Sequence, residues 1–126
     1  MKMAMLIVVM LTMSLSAKAD WILMSKGSIG NEYIEESRIE RAGHIRTVPH
    51  LLNLNSTNLR GVSSAVYIKE VNCQTKQTRT TWGRTYSGPM GGGELIKENS
   101  APSEWESAKT GSVGELTVAF ICAKPM

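Results

Sequence analysis

The stretch from Val62 to Tyr86 constrains this chain most. Val62–Cys73 carries Val66, Tyr67, Ile68 and Val71, and Gln77–Tyr86 is rich in threonine and alternates polar with apolar residues. Only Gln74-Thr75-Lys76 separates the two runs. β-branched and aromatic residues suit a pleated, half-buried surface, and so short a connection joins only antiparallel neighbours. The pattern predicts a long hairpin with Trp82 and Tyr86 on one face.

The flanking sequence extends the sheet. Trp21–Met24 reads as a buried strand, residues 26–31 as a turn, and Glu32–Glu35 as the partner strand. Ser37–Glu40 is a short strand or a helical turn. Ala42-Gly43 reverses the chain into His44–Leu54. Pro49, inside that run, removes a ladder donor and predicts an edge or a bulge. The phase favours a bulge, because Ile45 and Val48 do not share the face of Leu52 and Leu54 by simple alternation. Residues 53–61 are the most loop-like segment. Ser87–Gly93 holds four glycines and a proline in seven residues, which prescribes a special backbone path. Gly88, Pro89, Gly91, Gly92 and Gly93 are expected to form a structural turn that lets backbone pass close to another element. Glu94–Lys97 is a short strand, and residues 99–104 form a loop that delivers Trp105.

The last segment carries two signals. Leu116–Ile121 has β-type composition, whereas Ser112-Val113-Gly114-Glu115 has the form of a capping box. Val113, Leu116, Phe120 and Ala123 also fall on one helical stripe. The balance favours a helix over 112–123.

The start of the chain reads as an address. Lys2 precedes an almost wholly apolar run over residues 3–15, and Ser16-Ala17-Lys18-Ala19 supplies small residues for a cut after Ala19. A membrane span needs more length than this run has. The alternative, a buried N-terminal strand, does not account for charge, apolar run and small residues in that order. The expected organisation is a cleaved leader, 1–19, and one domain, 20–126. Losing Lys2 and Lys18 lowers the net charge of +3 by two, which removes the main support for nucleic-acid binding. No cysteine stands directly after the apolar run and no second segment is long enough to span a bilayer, so neither lipid anchor nor membrane span is expected. The address is periplasmic or secreted.

Cys73 and Cys122 are the two cysteines. Export into an oxidising space favours their pairing. The bridge would close a loop of about 50 residues, worth about 4 kcal/mol in the chain-entropy model. It would staple the helix to the sheet.

Catalysis finds little support. His44 and His50 flank Pro49, a zinc site needs three or four ligands, and both cysteines are committed. Ser87-Gly88-Pro89 lacks the G-x-S-x-G frame. Gly91-Gly92-Gly93 is followed by Glu94, which would repel a phosphate, and by no helix. No cofactor, metal site or catalytic set is expected. Arg84 lies between Trp82 and Tyr86 on an alternating face, with Arg79 nearby, and an arginine flanked by aromatics is a hot-spot composition for protein binding. The plainer alternative makes Trp82 and Tyr86 core and the charges a solvated face. Trp21 and Trp105 are expected to be core packing.

Several elements together resemble a family. They are Asp20-Trp21 after the leader, Cys73 at a strand end, Tyr86–Glu94 with its glycines, and Pro102…Trp105 followed by Gly111–Glu115 and Cys122. In that order and spacing, over about residues 20–123, they resemble the surface-adhesin protein E family of small exported bacterial proteins. The resemblance implies an α+β fold: a single antiparallel sheet of about six strands, a C-terminal helix packed on it, and one disulfide. It implies no catalytic activity. The family's namesake is a lipid-anchored adhesin that binds host matrix and plasma proteins. The reading that results is an exported, non-enzymatic module. It would bind a host matrix or envelope protein through a sheet face or edge, with Arg79, Trp82, Arg84 and Tyr86 as candidate contacts. A sheet edge would also accommodate a homodimer. The alternative is a periplasmic, lysozyme-inhibitor-like protein that blocks a cell-wall hydrolase through Ser87–Gly93.

Overall fold

The computed structural model describes residues 20–123; the expected leader, with Ala19, lies outside the described residues. Eight antiparallel strands make one sheet: β1 (Ile22–Lys26), β2 (Gly30–Ile34), β3 (Glu40–Ala42), β4 (Ile45–Leu54), β5 (Ser64–Asn72), β6 (Gln77–Tyr86), β7 (Leu95–Asn99) and β8 (Glu106–Ser107). The main path is β1-β2-β4-β5-β6-β7, while the short β3 pairs with β4 and the short β8 with β6. A helix, α1 (Val113–Cys122), ends the described chain. Residues 37–40 split between both expectations, a 3-10 turn over Glu36–Arg38 and the start of β3.

The β5–β6 hairpin forms as its sequence demands. Asn72 Oδ1 accepts from the amides of Gln74 and Thr75 at 2.9 and 3.2 Å, and Lys76 takes the left-handed conformation that closes the turn. Ile68 faces Trp82 and Lys69 faces Thr80, so Thr81 is an extra residue in β6. The alternation of side chains shifts there, as at any bulge.

Pro49 makes neither an edge nor a bulge. It lies within β4, in register opposite Ile68, with β5 along one side for the whole strand. A strand residue points its nitrogen and its carbonyl to the same side, and the Pro49 carbonyl accepts from Glu35 N at 3.1 Å, away from β5. On that side β2 pairs from His50 onward and β3 pairs only up to Thr47. The missing N–H therefore faces the gap between two neighbouring strands and costs no ladder bond.

Helix α1 covers one face. Ser112 caps it, its Oγ accepting from Glu115 N at 3.3 Å. Ile34, Val48 and Val71 from the sheet meet Val118 and Ile121 from the helix, with Met24, Ile39, Cys73 and Cys122 packed alongside. Cys73 and Cys122 are bridged. The helix is where its capping box puts it, but its expected inner stripe faces outward. Val113, Leu116 and Phe120 are exposed, and Thr117, Val118 and Ile121 are buried. The bridge fits this rotation: Cys122 bonds Cys73 just past the end of β5, Val118, one turn before Cys122, lies on its side of the helix, and Phe120 lies nearly opposite it.

Candidate interaction face

The register assigns each side chain to a face. On the helix side lie Arg46, Val48, His50 and Leu52 of β4 with Val71, Lys69, Tyr67 and Ala65 of β5. On the other side lie Leu51 of β4, Ser64, Val66, Ile68 and Glu70 of β5, and Trp82, Arg84 and Tyr86 of β6. Simple alternation would set Arg79 on the face opposite Trp82. The extra residue at Thr81 instead brings Arg79, paired with Glu70, onto the same face.

All four candidate contacts thus share the face that the helix leaves open. Arg84 stacks on the Trp82 ring with its Cζ 4.8 Å from the centroid. Trp82 Nε1 donates to Glu98 Oε1 at 2.9 Å, and that bond, followed by the charge of Arg84, holds the Glu98 carboxyl below the usual range. Arg84 Nε is shielded from solvent and lies 3.5 Å from Glu98 Oε2, an ion pair rather than a straight hydrogen bond. Tyr86, and with it Glu98, favours the charged form of the Arg84 guanidinium. Along the strand, Arg79 Nη2 and Nε reach Glu70 Oε1 at 2.7 and 2.8 Å, and Arg79 Cζ sits 4.7 Å from the centre of the Trp105 ring.

Trp105 and Glu98 are the members that sequence reasoning missed. Trp105 precedes β8, whose Glu106 pairs with Thr78, and this short strand is what delivers the ring to Arg79. A two-residue strand leaves no periodic signal. Glu98 of β7 sits opposite Arg84 of β6. The result is a row of two arginine–tryptophan stacks, each with its own carboxylate, on rings that remain half-buried.

The glycine segment shapes one end of this face. Pro89–Gly91 forms a 3-10 turn laid on Leu51 and Val66. Ser64 Oγ donates to Gly88 O at 2.7 Å and accepts from Gly91 N at 2.8 Å, while Asn53 Oδ1 accepts from Met90 N at 2.8 Å. Gly91 has φ +77°, and a Cβ there would stand 3.1 Å from Val66 Cγ2. Gly91→Ala is expected to lower stability by about 1–3 kcal/mol, read as a reduced urea midpoint at unchanged slope.

The covered side holds a second feature. A cleft of about 340 Å³ opens between sheet and helix, lined by His50, Lys69, Thr78, Glu106, Lys109 and Thr117 among others. His50 is 5 % exposed, stacks on Tyr67 at 5.2 Å, and its Nε2 has no partner among the described residues. Burial, aided by the charge of Lys69, pushes its pKa down to about 3. Burial and the Glu32 carboxylate hold the Tyr67 hydroxyl well above its ordinary value. His44 is exposed, outside β4, so the two histidines do not share a site. Among the described residues no three His, Cys, Asp or Glu side chains group as metal ligands would, and no helix is long and apolar enough to cross a membrane.

Comparison with known proteins places this architecture. The family model described as "Surface-adhesin protein E" matches residues 21–123. The selenomethionine form of Haemophilus influenzae protein E is similar in fold, with a TM-score of 0.67 and 17 % identity over 84 % of this chain and 88 % of that one. A second crystal form of the same protein gives a TM-score of 0.66 and 18 % identity over 86 % and 94 %. A structure of protein E from non-typeable Haemophilus influenzae gives 0.63 and 17 % over 86 % and 79 %. No curated protein matches the sequence.

Proposed function

The chain belongs to the surface-adhesin protein E family, and from that premise we propose that it is exported, loses residues 1–19, and binds a protein partner without catalysing a reaction. The observation that carries this reading is the open sheet face with its Trp82–Arg84 and Trp105–Arg79 stacks. Ring-stacked arginines are already ordered, so little rotamer freedom remains to be lost when a partner docks. Their free donor positions suit carboxylates or backbone carbonyls, and the rings supply flat apolar area. The partner class is a host matrix protein or an envelope protein.

Within this reading His50 is a packing residue, its ring stacked on Tyr67 and its Nε2 unpartnered among the described residues. The path of Ser87–Gly93 favours a binding face over hydrolase inhibition. An inhibitor loop must project, and this one is pinned to the sheet through Ser64 and Asn53.

The test is binding of the oxidised chain 20–126 to immobilised host matrix proteins and to isolated envelope proteins, with lysozyme inhibition assayed beside it. Trp82→Ala and Arg84→Ala are each expected to weaken capture about tenfold or more. Leu116→Ala, on the exposed helix surface, is expected to leave it unchanged. Binding that survives both face substitutions, or that is lost with Leu116→Ala, would move the site elsewhere.

A further inference from the structure

Asp20 is the residue that follows the expected cut, and its backbone nitrogen lies 3.3 Å from Glu35 Oε1. Glu35 is 3 % exposed, just past the end of β2. The same oxygen lies 3.2 Å from Arg38 Nε in an ion pair, but the Arg38 side chain is 56 % exposed. A carboxylate this deeply placed is costly unless it is paired, and a guanidinium more than half in water is a weak partner. In the uncut chain the Asp20 nitrogen is a neutral amide.

We propose that Glu35 is a capture site for the α-ammonium group created when the leader is removed. The ligand is the chain's own new N-terminus, and the inference rests on export with the cut after Ala19. Hydrolysis of that bond consumes one water. The water oxygen bonds to the Ala19 carbonyl carbon, the C–N bond to Asp20 breaks, and the leader departs as a carboxylate. The Asp20 nitrogen keeps its electron pair, takes up hydrogens and becomes an ammonium at neutral pH. Nothing is oxidised or reduced. The same nitrogen, already within reach of Glu35, changes from a neutral donor to a cation with three donors. Arg38 and the exposed carboxylate of Asp20 itself also carry charge at this corner, and Glu36 follows Glu35 in the chain. Leader removal then does more than release the protein. It supplies the second cation for a buried acid and ties the start of β1 to the end of β2.

The test compares four oxidised chains: one starting at Asp20, one retaining Ala19, and each again with Glu35→Gln. Retaining Ala19 keeps the Asp20 nitrogen an amide. It is expected to lower Tm by about 4 °C with Glu35 present and by less than about 1 °C in the Glu35→Gln background. No loss with Glu35, or equal losses in both backgrounds, overturns the pair. Should Glu35→Gln fail to fold, the Asp20 amine is labelled by ¹³C reductive methylation and titrated by NMR, folded and in urea. A folded pKa above the unfolded one supports capture, and equal values overturn it. Mass spectrometry of the exported chain tests the premise separately: a start other than Asp20 overturns the processing step, whatever the stability cycle shows.

Discussion

Replacing Cys73 and Cys122 together with serine is expected to cost about 4 kcal/mol, read as a lower urea midpoint for the oxidised parent's double variant. The bridge spans a sequence separation of 49, so it removes much loop freedom from the unfolded chain. Its second role is local. α1 has only ten residues, and buries only Thr117, Val118 and Ile121. A helix so short is marginal by itself. Losing the bridge should therefore release α1 first, uncovering Val48, Val71 and Ile34. Circular dichroism should show helix loss at denaturant concentrations where the Trp82 environment is still native. A single coincident transition at the parent's midpoint would mean that the helix contact alone holds α1.

The second large effect is an acid slope set by His50. Its pKa is about 3 in the fold against 6.5 when unfolded. The sign follows directly. Below pH 6.5 the unfolded chain takes up a proton that the folded chain refuses until about pH 3. Stability from this residue is complete above 6.5 and falls by about 1.4 kcal/mol per pH unit through the window. From pH 6.5 to 4.5 the loss is about 3 kcal/mol, a large share of the 5–15 kcal/mol typical of a domain. Lys69 adds to the effect from the same face, and Glu106 and Lys109 also line the cleft. His50→Phe keeps a ring against Tyr67 and gives up no hydrogen bond at Nε2. It is expected to flatten the slope between pH 6.5 and 4.5 by most of that amount. A variant with the parent's slope would show that His50 protonates in the folded protein at its ordinary pKa.

The two effects concern the same packed layer, the helix against the sheet. Reduced protein near pH 4.5 is accordingly expected to be largely unfolded, whereas oxidised protein at neutral pH keeps both contributions.

Much of the architecture was legible in local pattern. The β5–β6 hairpin shows in its threonine-rich alternation, the capped start of α1 in Ser112 and Glu115, and the tight path of Ser87–Gly93 in its glycines. These signals work because they describe what a residue does to its own backbone, or to neighbours a few positions away. The candidate face was half legible. Trp82, Arg84 and Tyr86 share a parity, so sequence alone can group them. Arg79 joins them only through the extra residue at Thr81, and Trp105 only through a two-residue strand.

The amino-acid sequence by itself determined the longer strands, where the helix begins, and that two cysteines stand ready to pair. The tertiary structure alone decided which side each segment shows. α1, bridged through Cys122 to Cys73, sits with Val118 and Ile121 inward and the more regular stripe of Val113, Leu116 and Phe120 outward. Pro49 sits mid-strand because the strands beside it happen to stop at that point. Side choice is a property of pairing between distant segments. One displaced residue inverts it along the rest of a strand, and no local preference records it.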